Sequence, residues 1–116
     1  MTTQELARPD AEPTVYVTPP VEIFEDDQAL WVSADLPGVA SGDVEVALDD
    51  GFLTLTGRVG GSNDATSRAY RRRFTLSDPS RFDTDHISAV LRHGVLEVRV
   101  PKAERAKPRQ VPVSVN

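Results

Sequence analysis

The residues best equipped for chemistry are few and poorly arranged for it. His86 and His93 are the only histidines, and Asp83, Asp85 and His86 would put two or three donors on a single turn with no matching ligands elsewhere, so no metal site is expected. The adjacent carboxylates Asp26-Asp27 and Asp49-Asp50 diverge as neighbours in turns do, which does not suit paired acid and base work. The absence of cysteine removes thiolate catalysis, a disulfide framework and Cys-type zinc sites. No nucleophile-elbow motif sets up a serine. No phosphate-cradling G-x-x-x-x-G-K-[ST] loop exists, and Gly60-Gly61 opens no helix. Neither an enzyme nor a cofactor-binding protein is expected.

Two features carry physical meaning of another kind. The first is Tyr70-Arg71-Arg72-Arg73-Phe74-Thr75-Leu76. If this segment is a strand, its period of two puts Arg72 on the same face as Tyr70, Phe74 and Leu76, while Arg71 and Arg73 face solvent. A charge on an apolar face costs several kcal/mol unless it is paired or its head reaches water. The second is the end of the chain, Val111-Pro112-Val113-Ser114-Val115, where valines alternate with small or ring residues after the charged stretch Lys102 to Gln110. An apolar segment on a solvated tether is expected to dock somewhere.

The elements that must position these features read as strands. From Val21 onward apolar and polar residues alternate, and helical periodicity is absent. Ala29 to Ala34, Val44 to Leu48, Phe52 to Thr56, Ala69 to Leu76, Ile87 to Leu91 and Val95 to Val100 are the predicted strands. Between them lie Glu25-Asp26-Asp27, Leu36-Pro37-Gly38-Val39, the hairpin turn Asp49-Asp50-Gly51, the loop Gly60 to Asp64, Ser77-Asp78-Pro79 with a short helical turn over Arg81 to Asp85, and Arg92-His93-Gly94. Gly94 supplies the positive φ that a tight hairpin needs. Six or seven short strands joined by Gly, Pro and Asp turns predict an all-β, antiparallel, immunoglobulin-like β-sandwich. Residues 1–20, with four prolines among polar residues, predict a flexible N-terminal arm, in which Val15-Tyr16-Val17 could add a short strand or touch a partner.

A chain of 116 residues has the size of one domain. Residues 1–101 carry 9 Lys plus Arg against 17 Asp plus Glu, and residues 102–116 carry 4 against 1, so an acidic body (−8) bears a basic tail (+3) and the net charge is −5. An acidic body repels phosphate backbones, so nucleic acid is not expected despite the arginine run. The chain shows neither a membrane-length apolar run nor a signal-peptide pattern, from which a cytoplasmic location is expected, with no membrane partner.

Several of these segments together resemble the small heat-shock protein (Hsp20, α-crystallin domain) family. Val21-Glu22-Ile23-Phe24-Glu25 followed by Ala34-Asp35-Leu36-Pro37-Gly38-Val39 resembles its opening segment. Ala89 to Leu96 resembles its A-x-x-x-n-G-V-L signature, Tyr70 to Leu76 its F-x-R-x-F-x-L strand, and Val111-Pro112-Val113 its C-terminal I/V-x-I/V motif. The resemblance implies an α-crystallin domain over residues 21–101 and a C-terminal extension over 102–116. It implies an ATP-independent holdase for partly unfolded client proteins that assembles with itself as a dimer or larger homo-oligomer. It also implies that Val111, Pro112, Val113 and Val115 dock between the strands Val44 to Leu48 and Ile87 to Leu91, with Val46, Leu48, Val90 and Leu91 as wall residues. Arg72, with Tyr70 and Phe74, becomes a subunit contact whose guanidinium meets an acidic residue of a neighbour. Gly94 is a structural turn.

The chain departs from the family's pattern in two places. Only twelve residues, Arg58 to Ala69, separate Gly57 from Tyr70, where bacterial and plant members carry a longer excursion exchanged between subunits. The N-terminal arm is also short, which points to a small assembly. Two other readings fit the same residues: a p23-like co-chaperone or adaptor sandwich that binds one folded partner, and a subunit that joins and modulates assemblies of a longer small heat-shock protein.

Overall fold

The computed structural model describes residues 14–60, 67–108 and 113. Eight strands follow one another along the chain: β1 Thr14–Val17, β2 Val21–Glu25, β3 Ala29–Asp35, β4 Val39–Asp49, β5 Phe52–Val59, β6 Ser67–Thr75, β7 Ser88–Arg92 and β8 Val95–Pro101. They form two four-stranded sheets, ordered β1-β6-β5-β4 and β2-β3-β8-β7. Among the described residues the only helical pieces are three 3₁₀ turns, Pro79–Arg81, Thr84–His86 and Glu104–Ala106, and no helix is long and apolar enough to cross a membrane.

Alternation makes the core. Leu53 and Leu55 of β5 and Val32 and Ala34 of β3 point inward with Leu96, Val98 and Val100 of β8, all but sealed from solvent, and Leu36 joins them from the β3–β4 turn. Each such leucine or valine contributes about 1.5–3 kcal/mol by leaving water. Two hairpins are closed by successive left-handed residues, Asp50 (φ 51°) with Gly51 (φ 80°) and His93 (φ 53°) with Gly94 (φ 78°). That pairing is the type I′ geometry, whose twist matches the twist of the strands it joins. At the β2–β3 hairpin the Asp26 carboxylate accepts hydrogen bonds from the backbone N–H groups of Gln28 and Ala29, both at 2.8 Å, and from Trp31 Nε1 at 3.1 Å.

Both ends of the sandwich carry detail beyond the strand pattern. The patch Val15 to Val17, which the sequence allows as an added strand, is part of β1, and β1 lies parallel to β6 with Tyr16 opposite Ala69. An otherwise antiparallel sandwich thus contains one parallel pair, possible because the polypeptide between β1 and β6 crosses the whole body. At the other end, Lys102 to Lys107 is packed rather than a free tether. Lys102 bridges to Phe82, the Ala103 N–H donates to the Arg81 carbonyl at 2.8 Å, and the Arg105 guanidinium donates to the Ser80 carbonyl. A buried lysine needs a counter-charge, and Lys102 Nζ finds Glu25 at 2.9 Å.

Candidate functional site

The two sheets leave a seam where β4 edges one and β7 edges the other. Val44, Val46 and Leu48 are opposite Gly57, Leu55 and Leu53 in register, which turns all three toward the interior. Ala89 and Leu91 are opposite Val98 and Leu96 and turn inward from the other sheet. Between these rows runs an open groove of about 450 Å³ whose walls include Val44, Val46, Ala89, Val90, Leu91 and Leu96. Apart from Ser41 its lining is aliphatic, with no charged side chain. Such a slot can do no bond chemistry. It can accept the apolar side chains of an extended segment, and the unpaired edges of β4 and β7 can offer backbone hydrogen bonds to it.

Of the four wall residues named from sequence, Val46, Val90 and Leu91 line this groove. Val90 reaches it differently from Leu91: it is opposite Glu97, on the outer face, and enters only because β7 is an edge strand. Leu48 shares the inward face of Val46 but lies closer to the β4–β5 hairpin, outside the lining. Ser41, Val44, Ala89 and Leu96 also line the groove and were missed by sequence reasoning. The period of two that singles out Val46 already contains Val44, whereas nothing in the residue type of Ala89 marks it as a wall. Of the tail residues, Val111, Pro112 and Val115 lie outside the described residues, and Val113 is 83% exposed.

The second candidate site is on β6. Tyr70, Arg72 and Phe74 share the inward side, half-buried, with Arg72 opposite Leu55. Tyr70 Oη donates to the Pro37 carbonyl at 3.1 Å. The Arg72 guanidinium lies 5.3 Å from the centre of the Phe74 ring, and no ion pair to it exists among the described residues. Arg71 and Arg73 point the other way, over the rings of Tyr16 (4.1 Å) and Phe52 (3.9 Å). Phe74 also contributes to a smaller cavity of about 220 Å³ at the opposite seam, shared with Ile23, Leu53 and Phe82.

Ionisable groups with altered affinity for protons sit at the ends of the sandwich, away from the groove. Glu25 is held below the ordinary carboxylate range by the hydrogen bond and charge of Lys102, with Arg81 adding to it at 3.4 Å. Asp26 is lowered by its backbone donors Gln28 and Ala29. His86 Nδ1 is 2.8 Å from Asp83 Oδ2; this hydrogen bond raises the histidine and lowers the aspartate. Asp83, Asp85 and His86 do not converge on a metal position, and no cluster of three or more potential ligands exists among the described residues.

Comparison with known proteins agrees with this architecture. The model of the Hsp20/alpha crystallin family matches residues 22–114. Heat shock protein 16 of Schizosaccharomyces pombe is 32% identical over 104 residues, which cover 81% of this chain and 73% of that protein. Among solved structures, heat shock protein 16.0 from Schizosaccharomyces pombe superposes with a TM-score of 0.65 at 27% identity, covering 85% of this chain and 77% of that one. A small heat-shock protein from Xylella fastidiosa, whose crystal structure reveals a distinct high order structure, does so with a TM-score of 0.63 at 31% identity, covering 85% and 98%.

Proposed function

Since the chain belongs to the Hsp20/alpha crystallin family, whose members are ATP-independent chaperones rather than enzymes, we propose that it is a cytoplasmic holdase that binds partly unfolded proteins and assembles with itself by tail docking. The observation that carries this reading is the aliphatic groove between β4 and β7. Its walls match the chemistry of Val111, Val113 and Val115, and its edge strands can hydrogen-bond an extended chain. In this reading Val111, Pro112 and Val113 of one subunit enter the groove of another, and non-native segments compete for the same kind of surface. Burial of each valine is worth roughly 1.5–3 kcal/mol, from which ordering the tail subtracts a large part. Single docks are therefore weak, and many docks in one assembly hold through effective concentration while still exchanging.

Arg72 fits a subunit contact because its half-buried guanidinium has no carboxylate partner among the described residues. A partner's acidic side chain would supply one. The connection from β5 to β6 spans only residues 60–66, and the two strands pair directly as far as Val59 with Arg68, which favours a dimer built without an exchanged strand. The high order structure of the Xylella fastidiosa protein supports self-assembly here.

The test is to heat an aggregation-prone protein with and without this chain at stoichiometric ratios and follow light scattering. Suppression without added nucleotide is expected. Scattering that rises unchanged would refute the holdase reading.

A further inference from the structure

The two outer faces of the sandwich present charge sets of opposite sign, arginines on one and carboxylates on the other, that make no ion pair among the described residues. On the β1-β6-β5-β4 sheet, register sets Thr54 opposite Arg73 and Thr56 opposite Arg71, so both arginines stand on the face turned away from the core, with Arg58 two residues along β5 from Thr56. The rings of Tyr16 and Phe52 lie beneath the guanidiniums of Arg71 and Arg73, their centres 4.1 and 3.9 Å away, and Tyr16 Oη also accepts a hydrogen bond from Arg71 Nη2 at 3.4 Å. A guanidinium stacked on a ring keeps its in-plane N–H donors free to bind a carboxylate in bidentate fashion. None of Arg58, Arg71 and Arg73 is ion-paired among the described residues. Acidic residues on this face, Glu45 and Asp49, belong to the edge strand β4.

On the β2-β3-β8-β7 sheet the opposite arrangement appears. Glu22, Ser33 and Glu97 form one row across three strands, and Phe24, Trp31 and Arg99 form the next. Together they shape a shallow concavity of about 510 Å³ lined by Glu22, Phe24, Asp26, Trp31, Ser33 and Glu97. Glu22 and Glu97 are also without an ion pair among the described residues. Two strand spacings place them about 10 Å apart, close to the roughly 7 Å that separates Arg71 from Arg73 along β6, a difference long side chains span. Arg99 is drawn toward the Trp31 ring at 5.6 Å. Beside this concavity Phe24 is 64% exposed.

We propose that these faces dock on each other in successive copies of the chain, with Arg71 and Arg73 of one copy meeting Glu22 and Glu97 of the next. A second copy is favoured over a phosphate-bearing partner because each copy itself presents, in Glu22 and Glu97, carboxylates at a spacing the arginines can meet. It is favoured too because aromatic rings flank both charge sets and gain from mutual burial. The faces look away from each other on one sandwich, so no subunit can satisfy its own charges. A head-to-tail contact of this kind is heterologous and builds rings or open stacks. It uses neither the tail nor the β4–β7 groove.

Sedimentation of the full-length chain at low and moderate ionic strength tests this, with Arg71→Glu/Arg73→Glu and Glu22→Lys/Glu97→Lys as the two charge-reversed variants. Circular dichroism checks that each retains the β signature, and Arg71→Gln/Arg73→Gln with Glu22→Gln/Glu97→Gln replaces any reversed pair that fails to fold. Each variant alone is expected to need about ten-fold more protein to associate and to lose the salt dependence. An equimolar mixture of the two reversed variants is expected to restore both. The same measurements on Val111→Ser/Val113→Ser separate this contact from tail docking, since the salt-sensitive association should persist there. Variants that assemble like the parent, a mixture that restores nothing, or an effect confined to the arginine variant would each overturn the proposal.

Discussion

Gly94, in the β7–β8 hairpin, shows how a single residue helps hold the strands that frame the groove. At Gly94 an added Cβ would meet the Pro37 backbone at an ordinary 3.6 Å, so the obstacle to substitution is the positive φ alone, and Gly94→Ala should cost about 1–2 kcal/mol, read from chemical denaturation. Gly57 differs: a Cβ there would lie 3.0 Å from Leu36 and 3.3 Å from Val39, and Gly57→Ala should lose about 1–3 kcal/mol by overpacking. Protonation adds a second residue-scale test. Glu25, Asp26 and Asp83 are lowered in the folded state, so their contribution is present above the ordinary carboxylate range and fades as pH falls through the depressed values. His86 is raised, so its contribution is present below the ordinary histidine range and is lost as pH rises through the raised value. The thermal midpoint should therefore fall below about pH 4 and slip slightly above about pH 6.5. Glu25→Gln should flatten the acid limb, and a midpoint that stays level in acid would contradict these assignments.

At the scale of elements, the strands from β3 onward were legible because one face of each is buried and the other wet: Leu53 and Leu55 alternate with Thr54 and Thr56, and Leu96 and Val98 with Glu97. The two I′ turns were legible from Asp50-Gly51 and His93-Gly94. The parallel seating of β1 was not, since four residues carry too short a pattern to name a partner strand and the one they use lies far along the chain. Nor was the packing of Lys102, because the carboxylate that neutralises it belongs to β2. The site was legible only in part. The resemblance names Val46, Leu48, Val90 and Leu91 together, but which of Val90 and Leu91 faces inward is set by the register against β8. That register makes a further test. Val46→Asp and Leu91→Asp put a charge on the groove wall and should abolish tail-dependent assembly, whereas Val90→Asp, on the outer face, should weaken it less, as native mass spectrometry would show. Equal loss in all three would contradict the placement of Val90.

The whole molecule combines an acidic body with a basic tail, a slot at one seam and, among the described residues, charges on both broad faces that make no ion pair. In the proposed reading, self-association and client capture draw on the same exposed apolar residues, among them Ile23, Phe24 and Val90. Warming that loosens weak docks should uncover that surface without any nucleotide, which ties holding to assembly. The most direct test is the native mass of the full chain beside Val111→Ser/Val113→Ser, at a salt concentration that suppresses surface ion pairs. The parent should form species larger than the 12.7 kDa subunit, and the substituted chain should lose the largest of them. A parent that stays monomeric, or a mass distribution unmoved by the two serines, would contradict the tail-in-groove account.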